Sequence, residues 1–178
     1  MCGIVGYVGR KETTPLLLEG LRRLEYRGYD SAGVAVMNGA GLATRRAAGK
    51  IARLEQVLQA EPAHGTLGIG HTRWATHGPP VERNAHPHTD ENRTIAVVHN
   101  GIIENSTALK TSLEARGHVF TSDTDTEVLA HLVEELFDGS LEDAVVQALK
   151  RVEGTYGIAV ISSLDPDKIV AARKGSPL

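Results

Sequence analysis

The 178 residues carry 19 lysines and arginines against 22 aspartates and glutamates, a formal charge of −3, with 41% hydrophobic and 23% charged residues. That balance excludes the basic stripe of a dedicated nucleic-acid binder, since Arg22-Arg23 and Arg45-Arg46 are isolated pairs. One cysteine, Cys2, forms no internal disulfide, no run approaches the ~20 apolar residues of a membrane span, and no basic-then-apolar leader precedes Cys2, so a cytoplasmic domain with one full core is expected, with no nucleic-acid or membrane partner.

In chain order, residues 4–8 are apolar and flanked by glycines, which predicts a buried strand anchoring the start of the chain. Thr14-Pro15 reads as a capping hydroxyl followed by proline at the first helical position, with Leu16, Leu17, Leu21 and Leu24 on one face. A polar loop over 25–33 leads to a strand at 33–37, a hairpin signal at Asn38-Gly39 and a return strand at 42–47. A short amphipathic helix is predicted over 50–60 and a small-residue strand over 67–72. The irregular stretch 73–93 then carries three prolines and three histidines; a loop of that length in a compact domain is usually functional or disordered, and its Arg, Trp and His without low-complexity character favour the functional reading. A β-branched strand over 94–99 ends in Asn100-Gly101, and a helix over 106–116 stops at Gly117. Thr124 with Glu127 reads as a capping box opening a helix over 125–137, with Val128, Leu129, Leu132, Val133 and Leu136 inward. Ser140 caps a helix over 141–152, and strands at 157–162 and 168–172 flank an Asp165-Pro166-Asp167 turn. Strands and helices come in groups, which favours an α+β layered sandwich over a doubly wound sheet.

The chemistry centres on Cys2. A small residue after the start methionine is what methionine aminopeptidases accept, so Met1 is expected to be removed, leaving a thiol and a free α-amine on one residue. With unperturbed pKa values of about 8.5 and about 7.7–8.0, the amine can take the thiol proton near neutral pH. Nucleophile and general base then coincide. The plainer alternative is an inert cysteine on a frayed terminus. An α-amino acid amide attacked by such a thiolate needs a guanidinium for its carboxylate, a carboxylate for its ammonium and donors for the oxyanion. Arg73, Asp125, and Asn100 with the Gly101 backbone N–H offer one of each. Singly, each has a simpler explanation: Asn-Gly as a turn, Asp125 as a charge at a helix N-terminus, Arg73 as a surface ion pair, Trp74 as core packing.

Five segments carry a resemblance. Cys2-Gly3-Ile4-Val5-Gly6, residues 24–33 around Tyr26-Arg27-Gly28, His71-Thr72-Arg73-Trp74-Ala75-Thr76-His77-Gly78, residues 99–105 beginning His99-Asn100-Gly101, and Ser122-Asp123-Thr124-Asp125-Thr126-Glu127 occur in that order. Over essentially the whole chain it closely resembles the glutaminase domains of the glucosamine-6-phosphate synthase family, the glutamine–fructose-6-phosphate aminotransferases (isomerizing), which are class II amidotransferases. The resemblance implies an N-terminal nucleophile hydrolase fold, a four-layer αββα sandwich of antiparallel sheets. It implies Cys2 as nucleophile, its freed amine as base, and Asn100 and Gly101 as the oxyanion hole. Arg73, with Thr76 and His77 beside it, would clamp the substrate carboxylate, and Asp125 would accept the ammonium. Trp74 would close over the substrate and gate ammonia, and Arg27 and Gly28 would support the terminus. Glutamine would become glutamate and ammonia through a γ-glutamyl thioester, without metal or organic cofactor. Residues 1–178 would be one amidotransferase type 2 domain, and the ammonia would pass to sugar-isomerase domains, absent from this chain, that bind fructose 6-phosphate in a homo-oligomeric full-length enzyme. The start is the one departure, since a retained Met1 blocks the amine. Rival readings are the glutaminase domain of another class II amidotransferase, a metal-binding module built on His71, His77, His86 and His88, and a catalytically silent docking domain.

Overall fold

The computed structural model describes residues 2–27, 30–75 and 78–178, the side chain of Arg27 excepted. Among the described residues, eight strands and five α-helices follow in the order β1 (Gly3–Val8), α1 (Thr13–Leu24), β2 (Ser31–Asn38), β3 (Gly41–Ala48), α2 (Ile51–Ala60), β4 (Leu67–Arg73), β5 (His88–Thr89), β6 (Ile95–Ile103), α3 (Ser106–Glu114), α4 (Glu127–Glu135), α5 (Leu141–Lys150), β7 (Gly154–Ser162) and β8 (Val170–Lys174). One antiparallel sheet runs β1-β4-β2-β3 and the other β5-β6-β7-β8.

Period-two alternation in the strands sorts their side chains into three apolar layers. In β6, Ile95 and Val97 join the layer with α3, α4 and α5, whereas Ala96 and Val98 point between the sheets. Likewise Val34 and Val36 of β2 meet Leu17 and Leu21 of α1 and Leu54 of α2, while Ala35 faces Ile69, Ala159 and Ile161. The result is the expected αββα sandwich. β4 is glycine-rich because β2 and α1 both crowd it: a Cβ at Gly68 would sit 2.7 Å from the Ala35 carbonyl oxygen of β2, 3.0 Å from Thr13 Cγ2 and 3.2 Å from Leu17 Cδ1. The last two contacts belong to the helix that docks there.

Several local expectations change. β1 is an edge strand whose Gly6 and Val8 are exposed, not a fully buried one, because only one neighbour, β4, flanks it. α1 starts at Thr13, and the Thr14 hydroxyl donates to the Ala63 carbonyl instead of capping the helix. β2 begins two residues earlier than its apolar run, at Ser31, and Asn38 pairs with Gly41, so Gly39-Ala40 form the hairpin loop. The expected capping box does not form. α4 starts at Glu127, and that carboxylate reaches back to the backbone N–H groups of Thr121 (2.9 Å) and Ser122 (2.7 Å). Asn100-Gly101 is not a turn: β6 continues through it to Ile103, pairing Gly101 with Tyr156. The Ser140 cap does form, with Oγ accepting from Asp143 N at 3.2 Å. No described helix is long and apolar enough to cross a membrane.

Truncating a residue at the α1–sheet layer should be costly. Leu17→Ala is expected to lose about 2–5 kcal/mol in urea unfolding. Leu164→Ala, at a half-exposed side chain, should change stability by less than about 0.5 kcal/mol.

Candidate active site

A cavity of about 630 Å³ opens where the ends of β1 and β4 meet the middle of β6, in the size range of small-ligand sites. Cys2, Arg73, Trp74, Asn100, Gly101 and Asp125 all line it. Ser176, Pro177 and Leu178 line it as well, carried there by a parallel bridge between Gly175 and Tyr156.

The β1–β4 register produces the first half of the site. Gly3 pairs with Thr72, so Cys2 lies beside the end of β4. There the Trp74 backbone N–H donates to Cys2 Sγ at 3.2 Å. Burial raises the thiol pKa, opposed by that backbone donor, so the thiol holds its proton until a base removes it. Arg73 is not a surface ion pair: it is 3% exposed and donates to the carbonyls of Gly78 (3.3 Å) and Pro79 (3.5 Å). Trp74 is not core packing either, since half of it is exposed at the cavity rim. Asp30 secures this segment. Its carboxylate accepts from the Ala75 N–H, and its Oδ1 lies 3.9 Å from the Arg73 guanidinium.

Strand β6 supplies the second half. Asn100 Nδ2 points at the Cys2 carbonyl, 3.4 Å away. Its orientation comes from His71, whose Nε2 lies 2.9 Å from Asn100 Oδ1 and 3.1 Å from the His99 carbonyl. Both partners are acceptors, so Nε2 carries the hydrogen and Asn100 must turn its NH₂ towards Cys2. Gly101 has φ +138°, and a Cβ there would lie 2.1 Å from the Thr155 carbonyl, so glycine alone fits. Asp125 precedes α4 and is not part of it. One carboxylate oxygen accepts from Ile103 N–H at 2.8 Å, which ties it to the end of β6.

A buried histidine cluster backs this arrangement. The rings of His71 and His86 are 4.3 Å apart between centroids, and those of His86 and His88 4.7 Å. The Thr126 hydroxyl sits between His86 Nε2 (2.9 Å) and His99 Nδ1 (3.0 Å), and His88 Nε2 meets the Thr124 hydroxyl at 3.0 Å. Their Nε2 atoms are engaged separately, which accounts for these histidines as scaffolding of the 124–126 segment. Desolvation lowers the pKa of His71 to about 4 and pushes His86 and His88 below the ordinary histidine value. Thr76, His77 and Gly28, with the Arg27 side chain, lie outside the described residues. The sequence reading did not assign His71, Asp30 or Thr126 a place in the site. Their signal was position alone, each lying inside a quoted motif.

The sequence profile of the glutamine amidotransferase domain matches residues 71–176. The whole chain is 54% identical to glutamine–fructose-6-phosphate aminotransferase [isomerizing] of Clostridium acetobutylicum and 58% identical to that of Thermus thermophilus, covering 29% of each. The chain thus spans under a third of the length of these relatives. Among solved structures, the glutamine phosphoribosylpyrophosphate amidotransferase of B. subtilis, complexed with ADP and GMP, superposes over 98% of this chain and 37% of its own. Its TM-score is 0.80 at 29% identity.

The neutral histidines carry a pH consequence. An unfolded histidine titrates near pH ~6.5, whereas His71, His86 and His88 bind protons less readily in the fold. Between those values the unfolded chain holds more protons, so these histidines leave folding stability unchanged above about pH 6.5 and lower it as pH drops towards 4. Urea unfolding between pH 7.5 and 5 should show this decline, with a slope of up to about 1.4 kcal/mol per pH unit for each histidine.

Proposed function

We propose, for a chain that belongs to the glutamine amidotransferase domain family, that it hydrolyses glutamine to glutamate and ammonia with Cys2 as nucleophile. The observation that carries this reading is the meeting of Cys2 with the Asn100 amide in one cavity, Nδ2 lying 3.4 Å from the Cys2 carbonyl.

In the form of the chain that starts at Cys2, the α-amine takes the thiol proton and the thiolate attacks the carboxamide carbon of glutamine. Burial keeps the thiol protonated on its own, so a base within the same residue meets a real requirement. The tetrahedral oxyanion rests on Asn100 Nδ2 and the Gly101 N–H, donors held in advance by His71 and by the β6–β7 pairing. The ammonium formed at Cys2 returns its proton to the departing nitrogen, ammonia leaves, and a γ-glutamyl thioester remains. Water activated by the same amine then releases glutamate and restores the thiol.

Arg73 takes the substrate α-carboxylate and Asp125 its α-ammonium. Both are buried and anchored by backbone partners, so little side-chain entropy is lost on binding. Trp74, half exposed over the cavity, closes on the bound substrate. Thr76 and His77 assist Arg73, and Arg27 and Gly28 support the terminus. Residues 1–178 act as a single type 2 amidotransferase domain of a longer cytoplasmic, homo-oligomeric enzyme. Its further domains would use the ammonia to make glucosamine 6-phosphate from fructose 6-phosphate. The whole-chain identity to aminotransferases of that kind favours this assignment over phosphoribosylpyrophosphate chemistry, where identity falls to 29%.

Glutamate release from glutamine should be abolished by Cys2→Ala and absent from any fraction whose intact mass retains Met1. Full activity in Met1-bearing protein would overturn the amine as base. Asn100→Ala should lower kcat by about 10²–10³ with KM little changed. Arg73→Lys should chiefly raise KM, because an ammonium cannot reproduce two-point contact with a carboxylate.

A further inference from the structure

We propose that His118, His131 and Glu134 form a binding site for a divalent transition metal of the zinc type, separate from the glutamine cavity. Among the described residues, this is the group in which one donor atom from each of three such side chains comes within 4.8 Å of the others.

Two of the three donor–donor distances are close to those a metal requires, and the third is within 4.8 Å. The Nδ1 atoms of His118 and His131 lie 3.2 Å apart, and His118 Nδ1 is 3.5 Å from Glu134 Oε2. Two ligands 2.0–2.1 Å from a tetrahedral zinc are separated by about 3.3–3.4 Å, which both edges from His118 match; the edge between His131 and Glu134, within 4.8 Å, would close on binding. The imidazole planes cross at 81°, an edge-on arrangement and not a stacked one. His131 and Glu134 stand one helical turn apart on α4, and His118 arrives from the segment after α3.

The surroundings match as well. A ligating imidazole characteristically turns its other nitrogen to a carboxylate. Nε2 of His118 lies 3.5 Å from Glu135 Oε2, and Nε2 of His131 lies 3.9 Å from Glu127 Oε1, an electrostatic contact beyond hydrogen-bond range. Glu134 is held by Asn92, which donates to Oε1 at 3.3 Å and leaves Oε2 towards His118. Glu135 is occupied with Arg116 and Arg151, so Glu134 is the carboxylate available as a ligand. Phe120 packs on the His131 ring at 4.5 Å, giving one wall of low polarity. The His118 and Glu134 side chains are 14% and 24% exposed, which gives an ion a path in and leaves a fourth position to solvent. Two imidazoles and one carboxylate suit zinc better than the hard cations calcium and magnesium. The residues lie outside the histidine-rich stretch 71–88 where the sequence drew attention, because the two histidines are thirteen positions apart and meet only through packing.

The alternative is a bare N–H···N hydrogen bond between the two rings. The test is calorimetric titration of zinc chloride into the Cys2→Ala protein, whose background removes the only thiol. His118→Ala and Glu134→Gln on that background change partly exposed side chains, so the fold should persist; circular dichroism checks this. One zinc per chain is expected, bound at least ten-fold more weakly in each variant, with a zinc-dependent rise in Tm confined to the parent. Cobalt(II) in place of zinc should give the visible absorption of a four-coordinate site. No saturable zinc binding in the parent, or equal affinity in the parent and both variants, would overturn the proposal and leave the hydrogen bond as the explanation.

Discussion

The pairing of β1 with β4 in one antiparallel register is the constraint on which the site depends. With Gly3 opposite Thr72, Cys2 lies beside Trp74, whose backbone N–H then reaches the thiol. A slip of one residue would turn every β1 side chain to the other face and carry Cys2 away from that donor. The register has little freedom. β1 is an edge strand, so β4 is its sole template, and α1 closes on both: a Cβ at Gly3 would fall 2.7 Å from Leu24 Cβ, and one at Gly20 2.8 Å from Val5 Cγ1. Glycine at those two positions lets the helix seat directly on the strand that carries the thiol.

From that register the rest follows by layering. The sheets face each other through small and medium side chains, Ala35, Ala96 and Ala159 among them, which keeps β6 near β1 and β4. Asn100 is thereby brought to the cysteine while its own strand continues unbroken. A donor in mid-strand is held by ladder hydrogen bonds on its neighbours, and the Asn100 side chain is additionally fixed by His71 from the opposite sheet. A turn, the simpler reading of Asn-Gly, would have offered neither restraint. Preorganisation of this sort is what the proposed oxyanion role would use, since donors that need not move cost no reorganisation when charge develops.

The histidine cluster shows how burial converts titratable groups into scaffolding. His86 and His99 both meet Thr126 through its single hydroxyl, and His88 reaches Thr124, so three imidazoles anchor the segment on which Asp125 sits. Because desolvation depresses proton binding by His71, His86 and His88, these rings act as neutral donors and acceptors at neutral pH. The packing therefore keeps extra positive charge out of the floor of a cavity that already contains the Arg73 guanidinium.

Much was determined by the residues themselves. Apolar periodicity placed the helices to within a few positions, grouped elements indicated the layered α+β class, and the motifs around Cys2, Arg73, Asn100 and Asp125 marked the residues that meet in the cavity. These features are local, set by side-chain alternation and by which functional groups the chain holds. Tertiary structure decided what depends on partners distant in sequence. It made β1 an edge strand, ran β6 through Asn100-Gly101, and delayed α4 to Glu127 because that carboxylate found better donors at Thr121 and Ser122 than a capping box supplies. It also set His71 against Asn100 and His118 against His131. No periodicity encodes such pairs, since each exists only when two separately folded segments are pressed together by a shared core.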